Sequence, residues 1–268
     1  MDFAFSIVWL VLLGLFAGGY GALIGAGGGF ILVPALLFIY PGEAPETITS
    51  ISLAVVFFNA LSGTLAYARS GRIDFKSGLI FAVATMPGAV SGALATIAVS
   101  RERFNFVFGL LLIAVAAFLG FYPGRKTAAG IAQSGGDMKA GLHLNRPMLI
   151  VGAGVSTLFG FVSSFFGIGG GFLYMPALVY LLHFPVHIAT TTSLFVLTIT
   201  AFTGSVTHVT AGLFHHGVFR ALTLSVGAIV GAQLAARHSS RISGEWIIRG
   251  LAVALVLVGL RLVASAIG

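Results

Sequence analysis

Residues 25–37 read GAGGGFILVPALL and residues 167–179 read GIGGGFLYMPALV, two copies that agree at eight of thirteen positions across an offset of 142. A chain duplicated in this way folds as two related halves, each with the same obstacle in it. Gly25, Gly27, Gly28 and Gly29, like Gly167, Gly169, Gly170 and Gly171, stand between a long apolar run and a short one. Glycine lets a helix break and lets backbone approach another group with no Cβ in the way. The amides at the start of the next helix have no partner within it and form a site for a negative group.

The solvent around those breaks follows from the charge. Only 8% of the 268 residues are charged and 58% are hydrophobic, against about 25% charged in soluble domains. The lipid bilayer is therefore the chain's first partner. In hydrocarbon every backbone donor and acceptor must be paired within the chain, which leaves helices or closed barrels. Apolar runs that are long and not strictly alternating select helices. The absence of cysteine removes disulfides, thiolate metal sites and cysteine nucleophiles. A net charge of +7 sits in short loops rather than a patch, which points to membrane topology and not to nucleic acid.

In order, the chain predicts a span at 5–24, the first break, a half-helix at 30–40, the turn 41–46, and spans at 47–68, 77–99 and 104–122. Residues 123–146 are polar, rich in Gly and Ser, and read as a flexible cytoplasmic linker. The second half repeats the plan with a span at 147–166, the second break, a short piece at 172–182, and spans at 188–211, 218–236 and 246–266. Likeness runs past the glycines. Ser52-Leu53 answers to Ser193-Leu194, and Gly88-Ala89 and Gly92-Ala93 answer to Gly227-Ala228 and Gly231-Ala232. The expected fold is an all-α polytopic membrane protein of two repeats, 1–122 and 147–268, each with about four full spans and one half-helix.

A helix with its half-helix starts and ends on one side, and three full spans follow. Three is odd, so the repeats should be inverted. With the linker inside, segments 69–76, 123–146 and 237–249 hold ten of the fourteen Lys and Arg, as the positive-inside rule requires. Only Arg101, Arg103, Arg220 and Arg261 fall outside.

Inverted repeats with interrupted helices place a solute near the midplane, where half-helix N-termini face its anionic groups. The span after each half-helix adds polar side chains on one face: Ser52, Asn59 and Gly63, with Tyr67 beyond, and Ser193, Thr200, Gly204 and His208. Ser52, Asn59, Ser193 and Thr200 are expected to donate to the anion together with the break glycines. His208 is an ionisable group within a span and is a candidate for coupling a proton. No acidic residue lies mid-span, so a cation pump is excluded, and no metal or cofactor is called for. His183 and His187 have the spacing of a metal pair but flank Pro185 and lack a third ligand.

The twice-repeated GxGGGFxxxPAL, followed in each half by a Ser- and Thr-rich span carrying Ser-Leu and a glycine, resembles the TauE/SafE family of sulfite exporters. The resemblance covers nearly the whole chain. It implies a multi-pass transporter of the prokaryotic cell membrane that moves a sulfur-containing anion such as sulfite or an organosulfonate, and it implies no enzyme activity. The competing classes are an intramembrane enzyme, for which no nucleophile with a base is present, and an assembly factor, which has no use for duplicated breaks.

Overall fold

The computed structural model describes residues 3–68, 73–121, 146–181, 184–214, 217–238 and 244–267. Among these all regular structure is helical. The helices are α1 (Phe3–Ile24), α2 (Gly29–Ile39), α3 (Pro45–Ala68), α4 (Phe75–Ile97), α5 (Arg101–Phe121), α6 (Arg146–Phe166), α7 (Gly171–Pro176), α8 (Val186–Thr210), α9 (Val218–His238) and α10 (Gly244–Ile267). The expected linker lies outside the described residues except for Arg146. So do Arg69, Arg72, Arg125, Lys126, Lys139 and Arg241, which carry much of the orientation argument, and the loop residues His183, His215 and His216.

Among the described residues five helices are long and apolar enough to cross a membrane: α1, α3, α4, α8 and α9. The apolar stretches of α6 and α10 are shorter, Ile150–Phe166 and Leu255–Ala266, and α5 opens on Arg101, Glu102 and Arg103. Length and apolarity alone therefore support five of the eight expected full spans. The half-helix α2 has eleven residues, roughly 16 Å at 1.5 Å per residue, which is about half the hydrocarbon thickness.

Prolines set several boundaries. Pro45 begins α3 two residues before the expected start, because a first-turn residue needs no N–H partner. In the second half the short helix differs from expectation. After Pro176 it widens into a π-helical stretch, Ala177–Leu181. Pro176 removes one i→i−4 bond, and a wider turn absorbs the loss.

The chain packs as two compact units, Met1–Ile97 with Gly136–Ser239, and Ala98–Gly135 with Ser240–Gly268. In the smaller unit α5 and α10 meet at glycine. A Cβ on Gly109 would stand 2.7 Å from the Gly259 carbonyl oxygen, and one on Gly259 would stand 2.8 Å from that of Gly109. Small residues at such a crossing let helix backbones touch where no hydrophobic effect drives them together.

The larger unit is built around α3 and α8, which bury most of their length. Their contact includes Leu53, Val56, Leu194 and Leu197 and a hydroxyl pair, Thr64 with Thr198 at 3.2 Å. Around this pair α1 packs on α9 and α4 on α6. Both seams are glycine-lined. A Cβ on Gly227 or Gly231 would run into the Val11 or Leu15 carbonyl of α1, and one on Gly88 or Gly92 into the Thr157 or Phe161 carbonyl of α6. The repeated Gly-Ala pairs of the sequence are thus the surfaces on which the fourth helix of each half meets the first helix of the other.

The outer faces are apolar. Val8, Leu12 and Phe16 of α1 and Leu222, Val226, Val230 and Leu234 of α9 repeat every fourth residue and stand exposed. Such stripes are rare on soluble monomers and are what a helix shows to lipid. Among the described residues most charge lies near helix ends, with Arg261 inside α10 an exception. Arg220 donates to Glu43 at 2.7 Å, and its guanidinium lies 3.9 Å over the Tyr40 ring, tying the end of α2 to the start of α9.

Candidate functional site: two glycine breaks in contact

Each break is a run of left-handed backbone. Gly25, Gly27 and Gly28 have φ of 78°, 76° and 78°, and Gly167, Gly169 and Gly170 have 69°, 78° and 55°. Gly28 and Gly170 are the N-caps of α2 and α7. A left-handed residue followed by a right-handed one turns successive N–H groups toward the same concave side, the geometry of an anion nest.

The two breaks touch. A Cβ on Gly29 would lie 2.6 Å from the carbonyl carbon and oxygen of Ile168, and one on Gly171 would meet the Gly25 carbonyl. The same two side chains, Val56 of α3 and Leu197 of α8, pack on both Gly27 and Gly169. All eight predicted glycines are therefore brought together and buried.

Three of the four predicted polar side chains reach the breaks, Ser52 and Ser193 each bonding the break of the other glycine motif and Asn59 that of its own. Ser52 of α3 donates to the Gly167 carbonyl at 2.6 Å. Ser193 of α8 donates to the Gly25 carbonyl at 3.0 Å as well as to Thr190 of its own helix at 2.9 Å. Asn59 donates through Nδ2 to the Gly27 carbonyl at 2.9 Å within its own half. Thr200 is less involved. It donates to Thr85 at 2.8 Å and back to the Val196 carbonyl at 3.0 Å. In this conformation the Ser52 and Ser193 hydroxyls and the Asn59 amide donate to break carbonyls and not to open space.

What is left over is on the amide side. Among the described residues no carbonyl accepts from the N–H groups of Gly28, Gly29, Gly169 or Gly170. An unpaired buried N–H costs about 1–3 kcal/mol, and buried backbone donors are almost always paired. The Oδ1 of Asn59, beside Gly28, has no partner either, and neither ring nitrogen of the fully buried His208 has one. His208 lies one turn past Gly204, on the face that carries Thr200. Sequence reasoning missed two neighbours of this site, Ser163 and Ser164. Both are fully buried with unpaired hydroxyls, and they were hidden because Ser in a helix ordinarily bonds its own backbone.

An apolar cavity of about 290 Å³ lies elsewhere, lined by Phe57, Phe58, Phe202, Val206, Val209 and Leu222 among others. No break residue is on its wall. Its wall is apolar apart from Ser205, whereas the breaks bring several backbone donors together.

One mutation separates holding a break from packing. Asn59→Ala leaves the Gly27 carbonyl unpaired, a loss of about 1–3 kcal/mol. It should lower the thermal midpoint of the purified protein and raise the half-saturating solute concentration about ten-fold. An unchanged half-saturation with a lowered midpoint would assign Asn59 to stability alone.

The family match runs over residues 10–262, and its description is Sulfite exporter TauE/SafE. The chain is 34% identical over 272 residues to the probable membrane transporter protein YunE of Bacillus subtilis (strain 168), covering 98% of this chain and 99% of that one. It is 28% identical to the probable membrane transporter protein ORF9 of a Sinorhizobium species, over 98% and 95% of the two chains. With MJ0441 of Methanocaldococcus jannaschii, another probable membrane transporter protein, it shares 26% identity over 97% and 96%. No solved structure matches. A match that spans both glycine breaks and every helix between them, with relatives aligned end to end, makes this chain a member of the TauE/SafE family of membrane transporters.

Proposed function

We propose that the protein is an alternating-access secondary transporter that carries a sulfur-containing anion, sulfite or an organosulfonate, across the cell membrane. The anion sits between the two glycine breaks and is held by their free amides. The observation that carries this reading is the set of buried, unpartnered N–H groups at Gly28, Gly29, Gly169 and Gly170. An oxyanion with three oxygens and delocalised charge satisfies several such donors at once, without an Arg or Lys buried at costly depth. The family description names sulfite.

The architecture in this reading is two inverted repeats, 1–122 and 147–268, joined by a cytoplasmic linker. Three facts favour it. Helix pairs that are equivalent under the duplication make equivalent contacts, α1 with α9 and α6 with α4. Glu43 and Arg220, which parity assigns to one face, are bonded at 2.7 Å. Asp74 N–H donates to Thr192 at 3.2 Å, joining two segments that parity assigns to the other face. Breaks packed against each other are the closed form of the site. Opening requires one break, with its short helix, to move away from the central α3 and α8, which releases the Ser193 bond to Gly25 if the first break moves or the Ser52 bond to Gly167 if the second does.

In this reading His208 couples a proton to the anion. The test is uptake of labelled sulfite and of an organosulfonate into proteoliposomes, across a pH series. Parent protein should take up at least one of them, Gly28→Leu and Gly170→Leu neither, and His208→Gln should show a flattened pH dependence. Parent-like uptake by both glycine variants would rule out the breaks as the site, and a parent pH profile in His208→Gln would remove the coupling role.

A further inference from the structure

Many helical hydroxyls among the described residues bond a carbonyl of their own helix. Ser156, Thr198, Thr200, Thr203, Thr207 and Ser225 each donate to the carbonyl four residues earlier, the usual resort of Ser and Thr in a helix surrounded by apolar groups. Ser205 of α8, on the wall of the apolar cavity, does not, and neither do Ser163 and Ser164 in the last turn of α6. Both side chains are fully buried, and both Oγ atoms have no hydrogen-bond partner. Leaving a buried hydroxyl unpaired is destabilising when a helix carbonyl is within its reach, so folding alone gives no reason for the arrangement.

Their surroundings give one. Ser163 Oγ lies 3.1 Å from the point where a Cβ of Gly170 would stand, and so faces the second break at its N-cap. Ser164 Oγ lies 2.6 Å from the corresponding point of Gly204. Gly204 is one turn from Thr200 and one turn from His208, whose ring nitrogens are also unpartnered. The two hydroxyls therefore occupy the seam between the second break and the polar face of α8.

The first half has no counterpart. Subtracting the offset of 142 from 163 and 164 leads to Gly21 and Ala22. A Cβ on Gly21 would collide with the Gly28 amide nitrogen, so the first break lies directly on α1 with no room for a side chain. The second break stands away from α6 by the depth of a serine. The two copies differ here: a serine stands between the second break and its preceding helix where the first has Gly21, and the next position, Ala22 in the first copy, carries a second hydroxyl that faces Gly204 of α8.

We propose that Ser163 and Ser164 are solute-binding residues, whose hydroxyls donate to oxygens of the anion held at the second break and make that half the tighter-binding side of the site. The proposal rests on the reading of the breaks as an anion site. An oxyanion has more acceptor positions than the four free amides fill, and a hydroxyl can rotate to meet them. Both are neutral donors, which a low-dielectric interior tolerates better than a charge.

The experiment uses the full-length protein and sodium sulfite as probe. Each of Ser163→Ala and Ser164→Ala should raise the half-saturating sulfite concentration about ten-fold, the loss of one bond to a charged acceptor, with the maximal rate held within about two-fold. Without sulfite, their thermal midpoints should equal or exceed the parent's, because an unpaired polar group has been removed. The sulfite-induced rise in midpoint should shrink, since ligand binding stabilises in proportion to affinity. A purely structural serine would lower the first midpoint and leave the sulfite response intact. Should Ser163→Ala pack badly, Ser163→Gly, with the residue type that stands at position 21, keeps the test open. Parent half-saturation in the serine variants, with Gly28→Leu inactive, overturns this proposal and leaves the anion site standing. Parent-like uptake by Gly28→Leu removes the anion site and the serine proposal with it.

Discussion

Gly28→Ala should reduce sulfite uptake at least about 100-fold, the scale of loss that a misplacement of about 1 Å produces in a positioned site. Two effects add at this residue. Its φ of 78° and ψ of −7° lie in the left-handed region, where a Cβ costs about 1–2 kcal/mol. The new methyl group would also be driven into the Ala17 carbonyl of α1. Backbone cannot move aside as a side-chain tip can, so the break has to shift and its amides shift with it. Gly63→Ala is the matched control. There the nearest atom to the new Cβ is the flexible Leu194 Cδ1 at 3.2 Å, and the backbone is ordinary helix, so most transport should remain. Parent-rate uptake by Gly28→Ala, with expression levels matched, would show that the geometry of the first break is not what transport depends on.

Replacing Gly227 or Gly88 by Val should cost about 3 kcal/mol, the upper end of the overpacking range. Each of these glycines lies on a backbone carbonyl of the helix it meets, that of Val11 for Gly227 and that of Thr157 for Gly88. A branched side chain pushes the two axes apart, and in lipid no hydrophobic effect draws them back. Thermal midpoints in detergent should fall sharply, with aggregation on size exclusion. Gly154→Val is the control, because it is exposed and nothing stands within 4 Å of its Cβ position. Equal midpoints for Gly154→Val and Gly227→Val would mean that the seams are not close contacts.

The breaks were legible because their cause is local. Three left-handed residues in four can hardly be other than glycine, and two closely similar runs at a fixed offset reveal a duplication without a partner sequence. Helix ends within two or three residues followed from apolar run length and from proline. Asn59 was singled out because an amide within a span needs a partner, and its Nδ2 does bond a break carbonyl. The destination of its bond, a carbonyl and not a solute, was beyond reach of the sequence. So was the handing of Ser52 to Gly167 and of Ser193 to Gly25, bonds that join residues 115 and 168 positions apart. Ser163 and Ser164 went unnoticed for a related reason. A serine that bonds its own helix and one that does not are written with the same letter.

The amino-acid order by itself determined the solvent, the helical class, the duplication and the two places where the backbone turns left-handed. These depend on composition, periodicity and the φ that each residue permits, all of which are properties of short stretches. Tertiary structure alone decided that α1 lies against α9 and α4 against α6, that the breaks meet at Gly29 and Ile168, and that four break amides and the hydroxyls of Ser163 and Ser164 beside them remain unpaired among the described residues. Those outcomes depend on which backbones come close enough to exclude a Cβ, and closeness between distant segments is settled only when the helices pack.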